Sequence, residues 1–145
     1  MRLAFGCDPN AEDFKRQLMD YAVELGHEVE DFGSDDAIYA NVAIRVAEAV
    51  AAGEYDRGVL LCGTGIGVSI AANKVKGAYA ACVHDVYQAQ RAQLSNMANI
   101  VTMGSQVIGI NLAKELLREY LANAWDPNCR SFDKVQRILD YEAGE

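Results

Sequence analysis

The sequence V-L-L-C-G-T-G-I-G-V-S-I-A-A-N-K, from Val59 to Lys74, decides the fold of this chain. Its apolar run Val59–Leu61 ends at Cys62, and a glycine loop, Gly63–Gly67, follows before the helix-like segment Val68–Lys74. This order predicts a buried strand, a tight loop and the start of a helix. Because glycines tolerate positive φ and carry no side chain, such a loop also lets a ligand approach the main chain closely.

Cys62 and the loop after it form a candidate chemical site. Ligands bind at the carboxyl ends of the strands in open α/β sheets, and Cys62 ends the predicted strand. The N–H groups of the loop and of the helix start attract negative charge, so a cysteine beside them is a candidate thiolate, acting as nucleophile or base. The alternative is a tight turn that only joins two elements, with Cys62 as a small buried residue. The spacing of the glycines fits neither a dinucleotide-binding loop nor a Walker loop.

Strand-like runs alternate with helical segments on both sides of this stretch. This alternation predicts one domain, residues 1–145, with a Rossmann-like three-layer α/β/α fold, a five-stranded parallel sheet and a C-terminal helix. The predicted strands are Arg2–Cys7, His27–Phe32, Arg57–Cys62, Ala78–Val83 and Asn96–Met103.

The helical segments carry apolar stripes that predict their buried faces. The segment 11–25 is predicted to bury Phe14, Leu18, Tyr21 and Leu25. The segment 109–123 is predicted to bury Leu112, Leu116, Leu117 and Tyr120, and Phe132–Tyr141 forms the last amphipathic helix.

Polar residues follow several of the predicted strands. Asp8 follows the first strand, Cys62 ends the third, and His84 follows the fourth. Since the carboxyl ends of parallel strands share one edge of the sheet, these three side chains are predicted to meet in one cleft.

Composition narrows the classes of partner. The chain has 145 residues, 51% of them hydrophobic, and a formal net charge of -8. Such an acidic surface repels phosphate backbones, so we expect no nucleic-acid partner, and any phosphate site must use a few placed cations. No signal peptide or membrane-spanning run is evident. The 4 cysteines show no C-x-x-C pairing and no metal-binding spacing, which predicts free thiols in a reducing cytoplasm.

Motifs along nearly the whole chain resemble one known family. The stretch C-G-T-G-I-G-x-S-I-A-A-N-K at Cys62 to Lys74 is similar to the signature of the type B ribose-5-phosphate isomerases and the galactose-6-phosphate isomerase subunits. Further matching motifs are G-x-D at Gly6–Asp8, L-G-H-E-V-x-D-F-G at Leu25–Gly33, H-D at His84–Asp85, N-x-A-N at Asn96–Asn99 and G-x-x-V-I-G at Gly104–Gly109.

The resemblance implies aldose–ketose isomerisation of a small sugar phosphate through a cis-enediolate, without a metal ion or other cofactor. It assigns the proton transfer between C1 and C2 to Cys62, because the Glu used by the other branch of the family is replaced by Val68. It also implies a homodimer or tetramer with sites at the subunit interface. The residues that it places in the site are Asp8, Thr64, Asn96, Ser95 and His84 around the substrate, the loop N–H groups of Gly63, Gly65, Ile66 and Gly67 on the enediolate, and Arg130 and Lys134 on the phosphate. For His84 a structural role is the favoured alternative.

Three positions depart from the family pattern. Pro9 replaces a His that helps to hold the substrate, Ser95 replaces the His that opens the sugar ring, and Gln106 replaces an Arg. A tetrose or tetrulose 4-phosphate needs no ring opening, because its phosphate blocks the hydroxyl that would close a five-membered ring. The loss of the His therefore leads to the hypothesis that this chain prefers D-erythrulose 4-phosphate and D-erythrose 4-phosphate over ribose 5-phosphate.

Two other functions remain open at this level. A non-catalytic subunit of a heteromeric isomerase is favoured by Pro9, Ser95 and Gln106. It is disfavoured by the joint presence of Cys62, Thr64, Asp8 and Asn96. A nucleotide-binding module is disfavoured by the missing glycine fingerprint and ribose-binding acid.

Overall fold

The computed structural model describes residues 1–145 and confirms the predicted three-layer α/β/α fold. Its central sheet has five strands, all parallel, in the order β2-β1-β3-β5-β4. No helix has the length and apolar character that crossing a membrane requires. The strands are β1 (Arg2–Cys7), β2 (Glu28–Asp31), β3 (Arg57–Cys62), β4 (Ala80–Cys82) and β5 (Ile100–Gly104), and the helices are α1 (Glu12–Glu24), α2 (Tyr39–Ala51), α3 (Ile66–Ala72), α4 (Val86–Leu94), α5 (Ile110–Ala122) and α6 (Phe132–Glu142).

The two faces of the sheet bury two separate cores. Along β3, Val59 and Leu61 point to a core shared with α1, α4 and α5. Leu60 and Cys62 point to the other core, which α2 and α3 cover. Because side chains alternate along a strand, the last residue of β3 sends its sulfur toward α2 and α3. The thiol therefore lies on the same side of the sheet as the helix that follows the glycine loop.

The structure corrects several predicted boundaries and buried faces. β4 is shorter than predicted. β5 begins at Ile100, because residues 95–99 form an irregular connection in which Met97 has a φ of 55°. Leu25 is 37% exposed, since α1 ends one residue before it. Leu112 is 38% exposed, because the buried stripe of α5 runs through Ala113, Leu116, Leu117, Tyr120 and Leu121.

Two hydrogen bonds to one carboxylate connect helix α6 to the residues just before β4. Glu142 accepts a hydrogen bond of 2.6 Å from the Tyr79 hydroxyl and one of 3.0 Å from the N–H of Gly77. Burial and this hydrogen bond raise the pKa of Tyr79 to about 12, so the phenol remains a donor at neutral pH. The contact fixes the position of a helix that carries Lys134 in its first turn.

Candidate active site

The sulfur of Cys62 lies at the carboxyl end of the central strand and is almost enclosed. The residue is 6% exposed, and its Sγ accepts a hydrogen bond of 3.1 Å from the N–H of Gly65. That bond requires the chain to turn back sharply, which Gly65 allows with a φ of 78°. An N–H directed at the sulfur stabilises negative charge there, as a proton-transferring thiolate requires.

The glycine loop rests on the end of β5. The Thr102 hydroxyl donates to the carbonyl oxygen of Gly65 (2.7 Å), and the N–H groups of Ser105 and Gln106 donate to the carbonyls of Cys62 and Gly63 (both 2.9 Å). A Cβ at Gly65 would lie 2.7 Å from the carbonyl carbon of Met103. The two backbones are thus in direct contact, and the loop has a single well-defined shape.

Several N–H groups of this loop remain available to a ligand. The N–H of Gly65 is directed at Cys62 Sγ, and that of Ile66 donates to Thr64 Oγ1 (3.2 Å). The N–H groups of Gly63, Thr64 and Gly67 have no partner within the chain. Free donors beside a thiol are the groups needed to bind an oxygen that becomes negatively charged during a reaction.

Asp8 lies next to this loop, directly after the neighbouring strand β1. Its N–H donates to the carbonyl of Leu61 (3.2 Å), and its Oδ1 accepts from the N–H of Ala11 (3.2 Å). The other carboxylate oxygen has no partner within the chain.

Burial raises the pKa of the preceding Cys7 to about 12 despite the opposing charge of Lys15, so Cys7 is a structural thiol. Cys62 is the cysteine that the free donors surround.

His84 lies at the same edge of the sheet but farther from the thiol. It follows β4, and β5 separates β4 from β3. Two strand spacings correspond to about 10 Å. Its ring is exposed and forms no hydrogen bond within the chain, while its backbone N–H donates to Gln88 Oε1 (2.9 Å). The predicted cleft therefore brings together Asp8 and Cys62, with His84 at its periphery.

Two further residues contact the loop and were not predicted to do so. The ring of Tyr39, the first residue of α2, lies against Gly67 so closely that a Cβ there would overlap it. The side-chain amide of Gln106 lies about 3.3 Å from the position that a Cβ on Gly63 would take. In both cases the sequence shows only a glycine, which indicates that another group packs closely against the main chain. It does not indicate which residue supplies that group.

The remaining predicted residues lie in a second place, a groove between α4 and α6. We call it the cationic groove; it encloses about 530 Å³ and is lined by Tyr87, Arg91, Ser95, Asn96, Arg130, Ser131 and Lys134. Arg91 was not predicted as a site residue, although Tyr87, Arg91 and Ser95 recur at the four-residue spacing of one helix face. Arg91 Nε donates to Ser95 Oγ (2.6 Å), and Asn96 Nδ2 donates to the Arg91 carbonyl (3.1 Å).

Ser95 and Asn96 of the cationic groove lie toward the edge of the sheet opposite the glycine loop. Helix α4 runs back from the carboxyl edge, so Ser95 and Asn96 precede the first residue of β5. Cys62 pairs with Gly104, the last residue of β5. Gly104 lies about 13 Å along this strand from Ile100, the first residue of β5. None of residues 62–67 lines the groove. Within one chain the two sets of predicted residues therefore form two separate half-sites.

The fold and the first half-site define a class, a doubly wound α/β protein with a thiol and free N–H donors at the carboxyl edge of its sheet. A sequence profile of the family Ribose/Galactose Isomerase matches residues 3–138. The chain therefore belongs to the ribose/galactose isomerase family, as its motifs predicted, and it is a sugar-phosphate isomerase of the ribose-5-phosphate isomerase B type.

Individual relatives agree with this membership. The D-erythrulose-4-phosphate isomerase 2 of Mycolicibacterium smegmatis is 51% identical over 79% of this chain and 78% of its own length. The D-erythrulose-4-phosphate isomerase of Pectobacterium atrosepticum is 42% identical over 100% of this chain and 97% of its own. The solved structure of Clostridium thermocellum ribose-5-phosphate isomerase B superimposes with a TM-score of 0.93 at 37% identity, covering 99% of both chains.

Proposed function

We propose that this isomerase interconverts D-erythrulose 4-phosphate and D-erythrose 4-phosphate in preference to ribulose 5-phosphate and ribose 5-phosphate. The observation that carries the proposal is the hydrogen bond from Arg91 Nε to Ser95 Oγ. A serine hydroxyl is a weak proton carrier near neutral pH, and a cation donating to its oxygen makes it a still poorer base. The position that opens the sugar ring elsewhere in the family is therefore unsuited to that step here.

An open-chain substrate fits such a site. A four-carbon sugar with its phosphate on O4 has no hydroxyl with which to close a five-membered ring, so isomerisation can start without ring opening. The two D-erythrulose-4-phosphate isomerases named above support this substrate class. The solved ribose-5-phosphate isomerase B shows that the same fold also accommodates a pentose phosphate, so the preference must come from side chains.

The proposed chemistry uses the thiol and the free donors of the glycine loop. The Cys62 thiolate removes a proton from C1 of the ketose, and a cis-enediolate forms. The N–H groups of Gly63, Thr64 and Gly67 stabilise its oxygen, and Asp8 positions a hydroxyl. The thiol then returns the proton to C2, while the hydroxyl proton moves from O1 to O2, which yields the aldose. No metal ion takes part in this scheme, and the four free thiols suit a cytoplasmic setting.

A complete site requires two copies of the chain in this proposal. The cationic groove of one copy faces the Cys62 loop of the other, so that Arg130 and Lys134 hold the phosphate while Cys62 of the partner acts on C1 and C2. The support is the placement of the two half-sites at opposite edges of one sheet. A homodimer related by a twofold axis completes two such sites at once.

Substrate preference is tested by steady-state kinetics on both sugar pairs. We expect kcat/KM for D-erythrulose 4-phosphate to exceed that for ribose 5-phosphate by at least tenfold, or about 1.4 kcal/mol in transition-state stabilisation. The variant Ser95→His should narrow this ratio by raising turnover of ribose 5-phosphate. A wild-type enzyme tenfold better on ribose 5-phosphate would contradict the proposal.

The role of Arg130 is tested by Arg130→Ala. We expect KM for the phosphorylated substrate to rise by about tenfold or more, because a charge-assisted contact to phosphate is lost, while the rate on unphosphorylated D-erythrulose changes little. Mixing Arg130→Ala with Cys62→Ala protein under conditions that exchange subunits, with the assay at a substrate concentration well below KM where each variant alone is slow, should restore roughly one quarter of wild-type activity, because half of the dimers then carry one intact site. No restoration in mixed dimers would place both residues in the site of a single chain.

A further inference from the structure

The cationic groove carries more positive charge than the two predicted phosphate ligands account for. Arg91, Arg130 and Lys134 all line it, and no acidic side chain does. None of the three forms a salt bridge, whereas Arg2, Arg16 and Arg118 each pair with a carboxylate. In a chain with a net charge of -8, three unpaired cations on one concave surface indicate an anionic ligand.

The side chain of Arg91 is held in a defined orientation within this groove. Its Nε donates to Ser95 Oγ one turn farther along α4, and the side chain is half-buried. Its two terminal nitrogens have no acceptor within the chain. Fixing Nε while leaving both terminal N–H₂ groups free presents donors for the bidentate contact that guanidinium groups make with phosphate.

We propose that Arg91 is a third phosphate ligand, and that it selects a substrate whose phosphate lies one carbon closer to the reacting carbons. This inference rests on the proposed function, since it assigns the groove to the phosphate of the substrate. Arg91 lies against Ser95, beside Asn96, at the end of the groove that would hold the sugar hydroxyls. Arg91 and Arg130 line the same groove, and in this assignment both bind the phosphate of the four-carbon chain.

The short side chain at position 95 is part of this arrangement. Ser95 replaces the larger imidazole of the family pattern and accepts the hydrogen bond that orients the guanidinium. One substitution thus removes a ring-opening group and provides an anchor for a cation. Arg91 acts by binding the phosphate, and Ser95 acts as a positioning residue through Arg91.

The test compares Arg91→Met, Arg91→Lys and the matched control Arg137→Met. Arg137→Met changes the net charge by the same amount as Arg91→Met. Arg137 lies on α6 outside the cationic groove, so its loss should leave phosphate binding unchanged. Four quantities are measured for each protein: the Kd of inorganic phosphate by calorimetry, KM and kcat for D-erythrulose 4-phosphate, KM and kcat for ribose 5-phosphate, and the rate on unphosphorylated D-erythrulose. Circular dichroism confirms that each variant is folded.

We expect Arg91→Met to weaken phosphate binding and to raise KM by about tenfold, because charge-assisted contacts to a dianion are lost. Unphosphorylated D-erythrulose should react within twofold of the wild-type rate, and the control should match wild type throughout. Arg91→Lys should recover part of the phosphate affinity but not the full preference for the tetrose over the pentose phosphate. An unchanged Kd in Arg91→Met, or an equal loss on the unphosphorylated sugar, would overturn the assignment.

A failure of this assignment can be distinguished from a failure of the proposed function. If wild type prefers ribose 5-phosphate while Arg91→Met loses inorganic phosphate, the tetrose preference and the selectivity assigned to Arg91 are wrong, and Arg91 remains a phosphate ligand. If wild type prefers the tetrose while Arg91→Met binds phosphate normally, the proposed function stands and the role of Arg91 is wrong.

Discussion

Replacing Cys62 by alanine is expected to reduce kcat by about 10²–10⁴-fold or more, the range that a positioned general base contributes. Alanine cannot accept a proton from C1. No other ionisable side chain lies within hydrogen-bonding distance of Cys62 Sγ, which accepts a hydrogen bond from the N–H of Gly65. The fold should persist, because one buried sulfur is removed from an otherwise intact core, at a cost of about 1 kcal/mol. Turnover of D-erythrulose 4-phosphate and the thermal midpoint of the same preparation check both statements.

The matched control for this experiment is Cys82→Ala. Cys82 also ends a parallel strand, and its Sγ lies 3.9 Å from the carbonyl oxygen of Thr64, but it is exposed and outside the proposed chemistry. We expect Cys82→Ala to keep the wild-type rate within about twofold, an interval of roughly 0.4 kcal/mol. A Cys62→Ala enzyme with a near-normal rate would show that another group moves the proton.

Gly65→Ala is expected to damage both stability and activity. The residue has a φ of 78°, and an added Cβ would lie 2.7 Å from Met103 C and 3.0 Å from Gly104 N. Left-handed strain costs about 1 kcal/mol and backbone overlap adds about 1–3, so the free energy of unfolding should fall by about 2–4 kcal/mol. The displaced loop would also move the donor that is directed at Cys62 Sγ, and misplacement by 1 Å can cost about 100-fold in rate.

Gly53→Ala separates the two causes. Gly53 has the same φ of 78°, but nothing lies within 4 Å of the position of its Cβ. It should therefore show only the strain of about 1 kcal/mol and a normal rate. Chemical denaturation and initial-rate measurements on both variants test this. Equal destabilisation of the two proteins would show that the contact with β5 does not constrain the loop.

The fold could be predicted from the sequence to a large extent, because its determining signals are local. The boundaries predicted for β3 match the structure residue for residue, since an apolar run bounded by Arg57 and a glycine loop has one natural interpretation. Edge elements were predicted less well. β4 retains only Ala80–Cys82, and its small residues gave no sharp boundary. The inward placement of Leu112 was wrong because the stripe that starts at Ala113 satisfies the same helical period.

The candidate site was predictable only in part, for a different reason. The type and spacing of Cys62 and its glycines point to chemistry at a strand end without knowledge of any other element. Tyr39 gains its meaning from a tertiary neighbour, the backbone of Gly67, which no local pattern identifies. Arg91 contacts Ser95 one turn away on its own helix, but the groove that both residues line is completed by the region around α6, which the helical spacing does not reveal. The separation of Ser95 and Asn96 from Cys62 follows from the direction of α4, which became decisive only once the strand order was known.

The contact between the glycine loop and β5 also has a thermodynamic consequence for substrate binding. Thr102, Ser105 and Gln106 already hold the loop by hydrogen bonds to three of its carbonyls, those of Gly65, Cys62 and Gly63. The conformational entropy of that segment is therefore lost when the chain folds, and little of it remains to be lost when a substrate arrives. Binding then restricts mainly the open-chain sugar itself, whose freely rotating carbon–carbon bonds become the principal entropic cost of forming the Michaelis complex.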